Sequence, residues 1–191
     1  MDDSIRRILA ITSSNSPESP IDNSKKQEIQ LTELSIKEKA HYVSVTGIIK
    51  KGGKYLICKR SANEKAFPGK WCVPGGKIEM KDFVNSKKDT ADHWLGVFER
   101  VLEKEIMEET GLRIKNIGYV SNLAFIRPNG FSTIIVSLFA EHDSGEVNLS
   151  EEELVDYRWV SLEEAKRYDL IENIYEQIEK VDKMPSASKR L

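Results

Sequence analysis

Three glutamates, Glu105, Glu108 and Glu109, stand three and four residues apart in a proline-free stretch whose apolar residues Leu95, Phe98, Leu102 and Ile106 recur at similar spacings. That periodicity predicts a helix over residues 94 to 110, and an advance of about 100° per residue puts the three carboxylates within roughly 100° of one another. Leu102 and Ile106 flank that side on one edge and Val97 and Val101 on the other, while Glu99, Arg100 and Lys104 lie towards a more polar face. Like charges at these spacings repel, and partial enclosure raises the cost unless a cation is present. Hard oxygen ligands of this kind suit Mg2+, with Mn2+ as the alternative. A solvated acidic helix end is nevertheless the commoner meaning of a Glu-Glu pair, so the glutamates alone do not fix the chemistry.

What surrounds them narrows it. Pro74-Gly75-Gly76-Lys77-Ile78-Glu79 precedes the helix and Thr110-Gly111-Leu112 follows it, so loop, acidic helix and stop come in order. Here the sequence resembles the Nudix hydrolase family, whose signature runs Gly, five residues, Glu, seven residues, then Arg-Glu-apolar-x-Glu-Glu-x-Gly-apolar. The second half is matched by Glu105, Ile106, Glu108, Glu109, Gly111 and Leu112, and the first half begins at Gly76. Asp82 stands for the first glutamate and Lys104 for the arginine, and 21 residues separate these two where the family pattern has seven. The extra residues read as an insertion that lengthens a surface loop and the front of the helix, at small entropic cost. Lysine lacks the planar bidentate grip of arginine, so Lys104 bears on how well the catalytic glutamate is oriented. The resemblance extends from about residue 41 to 183, through Lys59-Arg60, Pro68-Gly69-Lys70-Trp71 and the segment from Tyr157 to Glu164.

The resemblance implies an α+β fold, an α/β/α sandwich with a mixed β-sheet between helices. It also implies a Mg2+-dependent hydrolase that cleaves the pyrophosphate bond of a nucleoside diphosphate joined to another group. The alternative is a weak or inactive nucleotide-binding regulatory module. Glu105, Glu108, Glu109 and the Gly75 carbonyl would hold the metal, Lys104 would orient, and Glu105 or Glu153 would be the general base. Glu153 is preferred to Glu151 and Glu152 because it stands four residues before Tyr157. Lys59, Arg60, Gly76 and Arg127 are the candidates for substrate contact.

The remaining residues supply the frame. Tyr42, Val43, Val45, Thr46, Ile48 and Ile49 read as a strand, Gly52-Gly53 as a turn, and residues 55 to 58 as its hairpin partner. Residues 71 to 73 form a short strand between turns, 117 to 126 and 131 to 140 pair around Pro128-Asn129-Gly130, and 157 to 160 form another short strand. Thr90 or Asp92 is positioned to cap the acidic helix and Gly111 to end it. Ser161 with Glu164 forms a capping box, and Ile171, Ile174, Ile178 and Val181 mark a closing amphipathic helix.

Residues 1 to 39 are polar enough to be a mobile leader, with a short helix expected near residues 29 to 37, and residues 184 to 191 form a tail. The loop over residues 83 to 90 is expected to be mobile too. Lys+Arg of 29 against Asp+Glu of 31 gives a formal charge of -2, which excludes a large positive field for a long nucleic acid. A small-molecule nucleotide remains the expected partner, and a homodimer is left open. Cys58 and Cys72 have no paired Cys-x-x-Cys spacing and read as buried thiols. Neither a signal-peptide core nor an apolar stretch of about 20 residues is present, so a cytoplasmic, membrane-free location is the expectation.

Overall fold

A computed structural model describes residues 39–127, 129–149 and 152–184. The leader up to residue 38, its expected short helix, Pro128, Glu151 and the tail from residue 185 lie outside the described residues. The domain begins on β1 (His41–Lys51) and turns through Gly52-Gly53 into β2 (Lys54–Arg60), with Lys50 opposite Tyr55. β3 (Trp71–Cys72) pairs antiparallel with β2, and β4 (Gly75–Lys77) pairs antiparallel with the start of β1. After a single helical turn, α1 (Lys81–Val84), comes the acidic helix α2 (Val97–Thr110). β5 (Arg113–Ile126) and β6 (Ser132–Ser144) form a long antiparallel hairpin, and β6 runs parallel to β1 from His41 to Lys50. β7 (Leu154–Val160) pairs with β2, and α3 (Leu162–Ala165) and α4 (Ile174–Asp182) follow. The sheet is mixed, as expected.

Side chains alternate across a strand, so register fixes what each face meets. Gly47 faces α2, where an added Cβ would stand 3.0 Å from Leu102 Cδ1. Tyr55 shares the opposite face with Lys50, and its hydroxyl donates to Asp182 Oδ1 of α4 at 2.7 Å. The sheet therefore lies between α2 and α4. Val45, Ile49, Leu56, Leu102 and Ile106 are buried in the core, and truncating one to alanine costs about 2–5 kcal/mol.

The boundaries differ from the sequence expectation in ways with physical causes. α2 starts at Val97, after Gly96 in the left-handed region at φ 59°, and neither Thr90 nor Asp92 caps it. Thr90 instead closes a turn, accepting the His93 N–H through Oγ1 at 3.0 Å. α4 starts at Ile174, because Asn173 takes φ 71° and separates Ile171 from the helix. The capping box forms as expected: Ser161 Oγ accepts the Glu164 N–H at 3.2 Å and Glu164 Oε2 accepts the Ser161 N–H at 2.8 Å. Both cysteines are free and buried. No helix among the described residues is long and apolar enough to cross a membrane.

Candidate functional site

The site is built where β4 runs beside β1 under α2. Val45 lies opposite Gly76 and Thr46 opposite Gly75. Gly75 has φ 152°, and a Cβ there would collide with the Val45 carbonyl oxygen and stand 2.7 Å from Thr46 Cα. At Gly76 a Cβ would fall inside the Glu105 carboxylate. Glycine is needed at both positions, once for backbone approach and once so that a catalytic candidate can lie against the chain.

α2 then presents its acids to three partners. Glu109 Oε2 accepts the Gly75 N–H at 2.9 Å. Lys104 Nζ lies 3.1 Å from Glu105 Oε1, 3.6 Å from Glu108 Oε2 and 3.0 Å from Asp82 Oδ1. The Asp82 side chain is only 3% exposed, and its second oxygen accepts the Glu79 N–H at 2.7 Å. Asp82, on the far side of the 21-residue segment, and Glu105 thus meet at one ammonium group, that of Lys104. Glu105 is largely covered at 16% exposure, whereas Glu108 is 59% exposed. The sequence reading enclosed all three glutamates; the structure encloses Glu105 and Glu109 and leaves Glu108 at the solvent side.

The local charges agree with this geometry. Burial pushes the Glu109 carboxyl up to about 8, the charges of Glu153 and Glu105 add to the rise, and the Gly75 N–H and Arg60 oppose it. Hydrogen bonds to Asp82 raise the Lys104 ammonium, with those to Glu105 adding to it against the burial that lowers it. Burial acts to raise Asp82, but the Glu79 N–H and Lys104 outweigh it and hold the carboxyl below its usual range. Among the described residues no three His, Cys, Asp or Glu side chains are gathered as a metal cluster. Lys104 and the Gly75 amide partner the glutamates instead. A divalent cation suits this set: Glu109 is a buried carboxylate short of positive charge, beside further carboxylates and a glycine backbone.

The other sequence candidates divide. Glu153, exposed on the turn before β7, acts electrostatically on Glu109, and its carbonyl accepts the Ser61 N–H at 2.8 Å. Arg60 is engaged locally, donating from Nε to the Ala66 carbonyl at 2.8 Å and pairing with Glu64. Lys59 points to the opposite face, with Trp71 as its register partner. Arg127 lies at the far end of the β5–β6 hairpin, where Nε donates to Thr133 Oγ1 at 2.6 Å and the guanidinium stacks 4.7 Å from the Tyr42 ring centroid.

The sequence reading missed a row of hydroxyls. Gly75 lies opposite Thr46, Thr46 opposite Ser137, and Ser137 opposite Ser121, so one row crosses four strands. Thr46 Oγ1 and Ser137 Oγ are 3.2 Å apart, while the buried Ser121 Oγ has no hydrogen-bond partner among the described residues. Only pairing of distant strands aligns positions 46, 121 and 137.

Residues 39–181 match the NUDIX domain family. The chain belongs to this family. An NAD-capped RNA hydrolase NudC of Mannheimia succiniciproducens is 37% identical over 121 residues, covering 63% of this chain and 40% of that protein. The corresponding NudC of Actinobacillus succinogenes is 45% identical over 62 residues, 32% of this chain and 22% of that protein. The Nudix chain thus spans well under half the length of these curated relatives. A nucleoside triphosphatase NudI of Klebsiella pneumoniae is 29% identical over 136 residues, covering 66% of this chain and 86% of that protein. The fold is shared with a MutT NUDIX hydrolase from Burkholderia pseudomallei, with TM-score 0.59, 23% identity, and 74% and 98% of the two chains covered. It is shared also with the NUDIX domain of Shewanella oneidensis NrtR, solved with ADP ribose, with TM-score 0.57, 18% identity, and 74% and 86% covered.

Proposed function

We propose that the protein hydrolyses a pyrophosphate bond in a nucleoside diphosphate linked to a further group, with Mg2+ or Mn2+ as cofactor. The observation that carries this reading is the double hold on Glu105, pressed on Gly76 from one side and gripped by Lys104 from the other. Bound by Glu105, Glu108, Glu109 and the Gly75 carbonyl, the metal would supply positive charge to the phosphate oxygens and acidify water. Glu105 takes the proton of the attacking water, with Glu153 as the alternative acceptor. The water oxygen forms the new bond to phosphorus, the bridging P–O bond breaks, and its electron pair leaves on the departing phosphate. Lys104 fixes the direction of the Glu105 carboxylate. The row from Thr46 to Ser121 starts opposite Gly75 on the sheet face that Lys50 and Tyr55 share, away from α2, and is given no part in this reading. Lys59, Arg60 and Arg127 remain candidates for outer contacts.

NudC and NudI relatives and the ADP-ribose-bound neighbour define the panel to test: NAD, NAD-capped RNA, nucleoside triphosphates and ADP-ribose. Purified protein with Mg2+ should turn over at least one of them, EDTA should stop it, and reaction in 18O-labelled water should identify the phosphorus attacked. Binding without turnover across the whole panel would move the protein to the nucleotide-binding module, an alternative that Lys104 in place of arginine keeps open.

A further inference from the structure

The segment between Asp82 and Lys104 contains no buried residue from Phe83 to Gly96. It cannot be held by a core of its own, so its hydrogen bonds and ion pairs decide where it sits. Two of them land on the same stripe of α2, one helical turn apart. Asp82 Oδ1 meets Lys104 Nζ at 3.0 Å, and Asp89 Oδ2 meets Arg100 Nη2 at 2.6 Å. Asp89 Oδ2 also accepts the Leu95 N–H at 2.9 Å, and Arg100 donates to the Leu95 carbonyl. The Leu95 N–H and the Arg100 guanidinium hold the Asp89 carboxyl below its usual range.

Between these anchors the chain closes on itself. The Phe83 and Trp94 rings are 5.4 Å apart, Trp94 Nε1 donates to the Ser86 carbonyl at 3.0 Å, and Lys88 lies 5.1 Å from the centre of the same indole. Phe83 is the neighbour of Asp82. The Trp94 and Phe83 rings thus form a continuous contact path from the Asp89 end to the Asp82 end.

We propose that Asp89 is a positioning residue for catalysis. By latching the segment to Arg100 it keeps Asp82 on Lys104, and through Lys104 it keeps the Glu105 carboxylate against Gly76. The proposal rests on the role given to Glu105 above. An isolated exposed ion pair contributes little, but Asp89 binds a guanidinium and a backbone amide at once, and truncating its side chain removes both together.

The test uses the full chain carrying Asp89→Ala or Arg100→Met, with Arg100→Lys as the conservative control. Amide hydrogen exchange reads the latch without any need for activity. Exchange at the Glu79 amide, which donates to Asp82, should accelerate about threefold to tenfold in both variants, and Arg100→Lys should stay near wild type. Acceleration at Leu95 with Glu79 unchanged would overturn the proposal, because the loop would then open without moving Asp82. With the panel substrate that the wild type turns over best, kcat should fall by a similar factor while KM holds. The double variant should be no worse than either single one. A change in KM alone, or additive losses in the double variant, would also count against it. If the wild type turns over nothing, the proposed reaction fails, and exchange at Glu79 still decides whether the latch exists.

Discussion

α2 is gripped from two sides by different physics. On the glycine side, Gly75 and Gly76 meet it by close approach: backbone lies where a Cβ would collide, and Glu109 accepts a backbone N–H. On the side of Asp82 and Asp89, the contacts are ion pairs, and the outer one joins side chains 37% and 45% exposed. The first grip is steric and tolerates no change of shape. The second is electrostatic and adjustable, with its outer pair open to solvent and Asp82 sealed, and Lys104 links the two by touching Asp82 on one side and Glu105 on the other. A helix held in this way has Glu105 and Glu109 set against backbone on one side and is joined through Lys104 to the adjoining segment on the other.

The largest expected effect comes from violating the steric side. Gly76→Ala should reduce turnover by about 100-fold or more, because the new Cβ displaces Glu105 by the order of an ångström. Circular dichroism and melting should show the fold retained. Near-wild-type kcat in that variant would mean that Glu105 is not the group that acts.

Lys104 tests the link between the sides. Lys104→Met should lower kcat about tenfold or more, since it leaves the nearly sealed Asp82 without its cation. Lys104→Arg should restore most of the rate if charge and reach are what matter. Equal losses in the two variants would show that the shape of lysine itself is required.

Glu109 gives a stability signature. Its carboxyl is raised from 4.5 to about 8, so between those values the folded chain holds a proton that the unfolded chain has lost. Stability should therefore fall as pH rises through that window, and the penalty is complete above it. In EDTA, Glu109→Gln should remove the slope and stabilise the protein by about 1–2 kcal/mol at pH 8.5, while abolishing metal-dependent activity. Chemical denaturation at pH 5 and 8.5 checks this; a pH slope identical to wild type would show that Glu109 is not a desolvated acid. The same test at Glu108, the exposed glutamate already beside Lys104, should show no such stabilisation.

Salt should produce the smallest effect. Raising NaCl from about 0.05 to 0.5 M should increase proteolytic cleavage across residues 85 to 96 by about twofold to threefold and leave exchange of the Gly75 amide unchanged, because screening reaches the exposed pair only. Equal sensitivity at both places would erase the distinction between the two grips.

Much of this site could be read along the chain because its parts are close together there. The glycine pair, the acidic helix with its stop at Gly111, the Gly52-Gly53 hairpin and the Ser161 capping box each depend on residues within a few positions of one another, where local geometry governs. The start of α2 was misplaced because Thr90 finds a partner in His93 before a helix can use it. Residues 83 to 90 are mostly exposed, as their composition implies, but Asp89 gives them a fixed attachment that no hydrophobic pattern announces.

The sequence by itself determined the chemistry available: carboxylates at helical spacing, glycines where backbone must come close, and a lysine one turn before Glu108. The folded chain determined how that chemistry is distributed. It enclosed Glu105 and Glu109 but not Glu108, brought Glu153 into the field of Glu109, turned Arg60 to Glu64, and aligned Thr46, Ser137 and Ser121 in one row. Burial, charge and alignment at these positions depend on which strands pair and which face a helix covers, and those are contacts between residues tens of positions apart that no local pattern encodes.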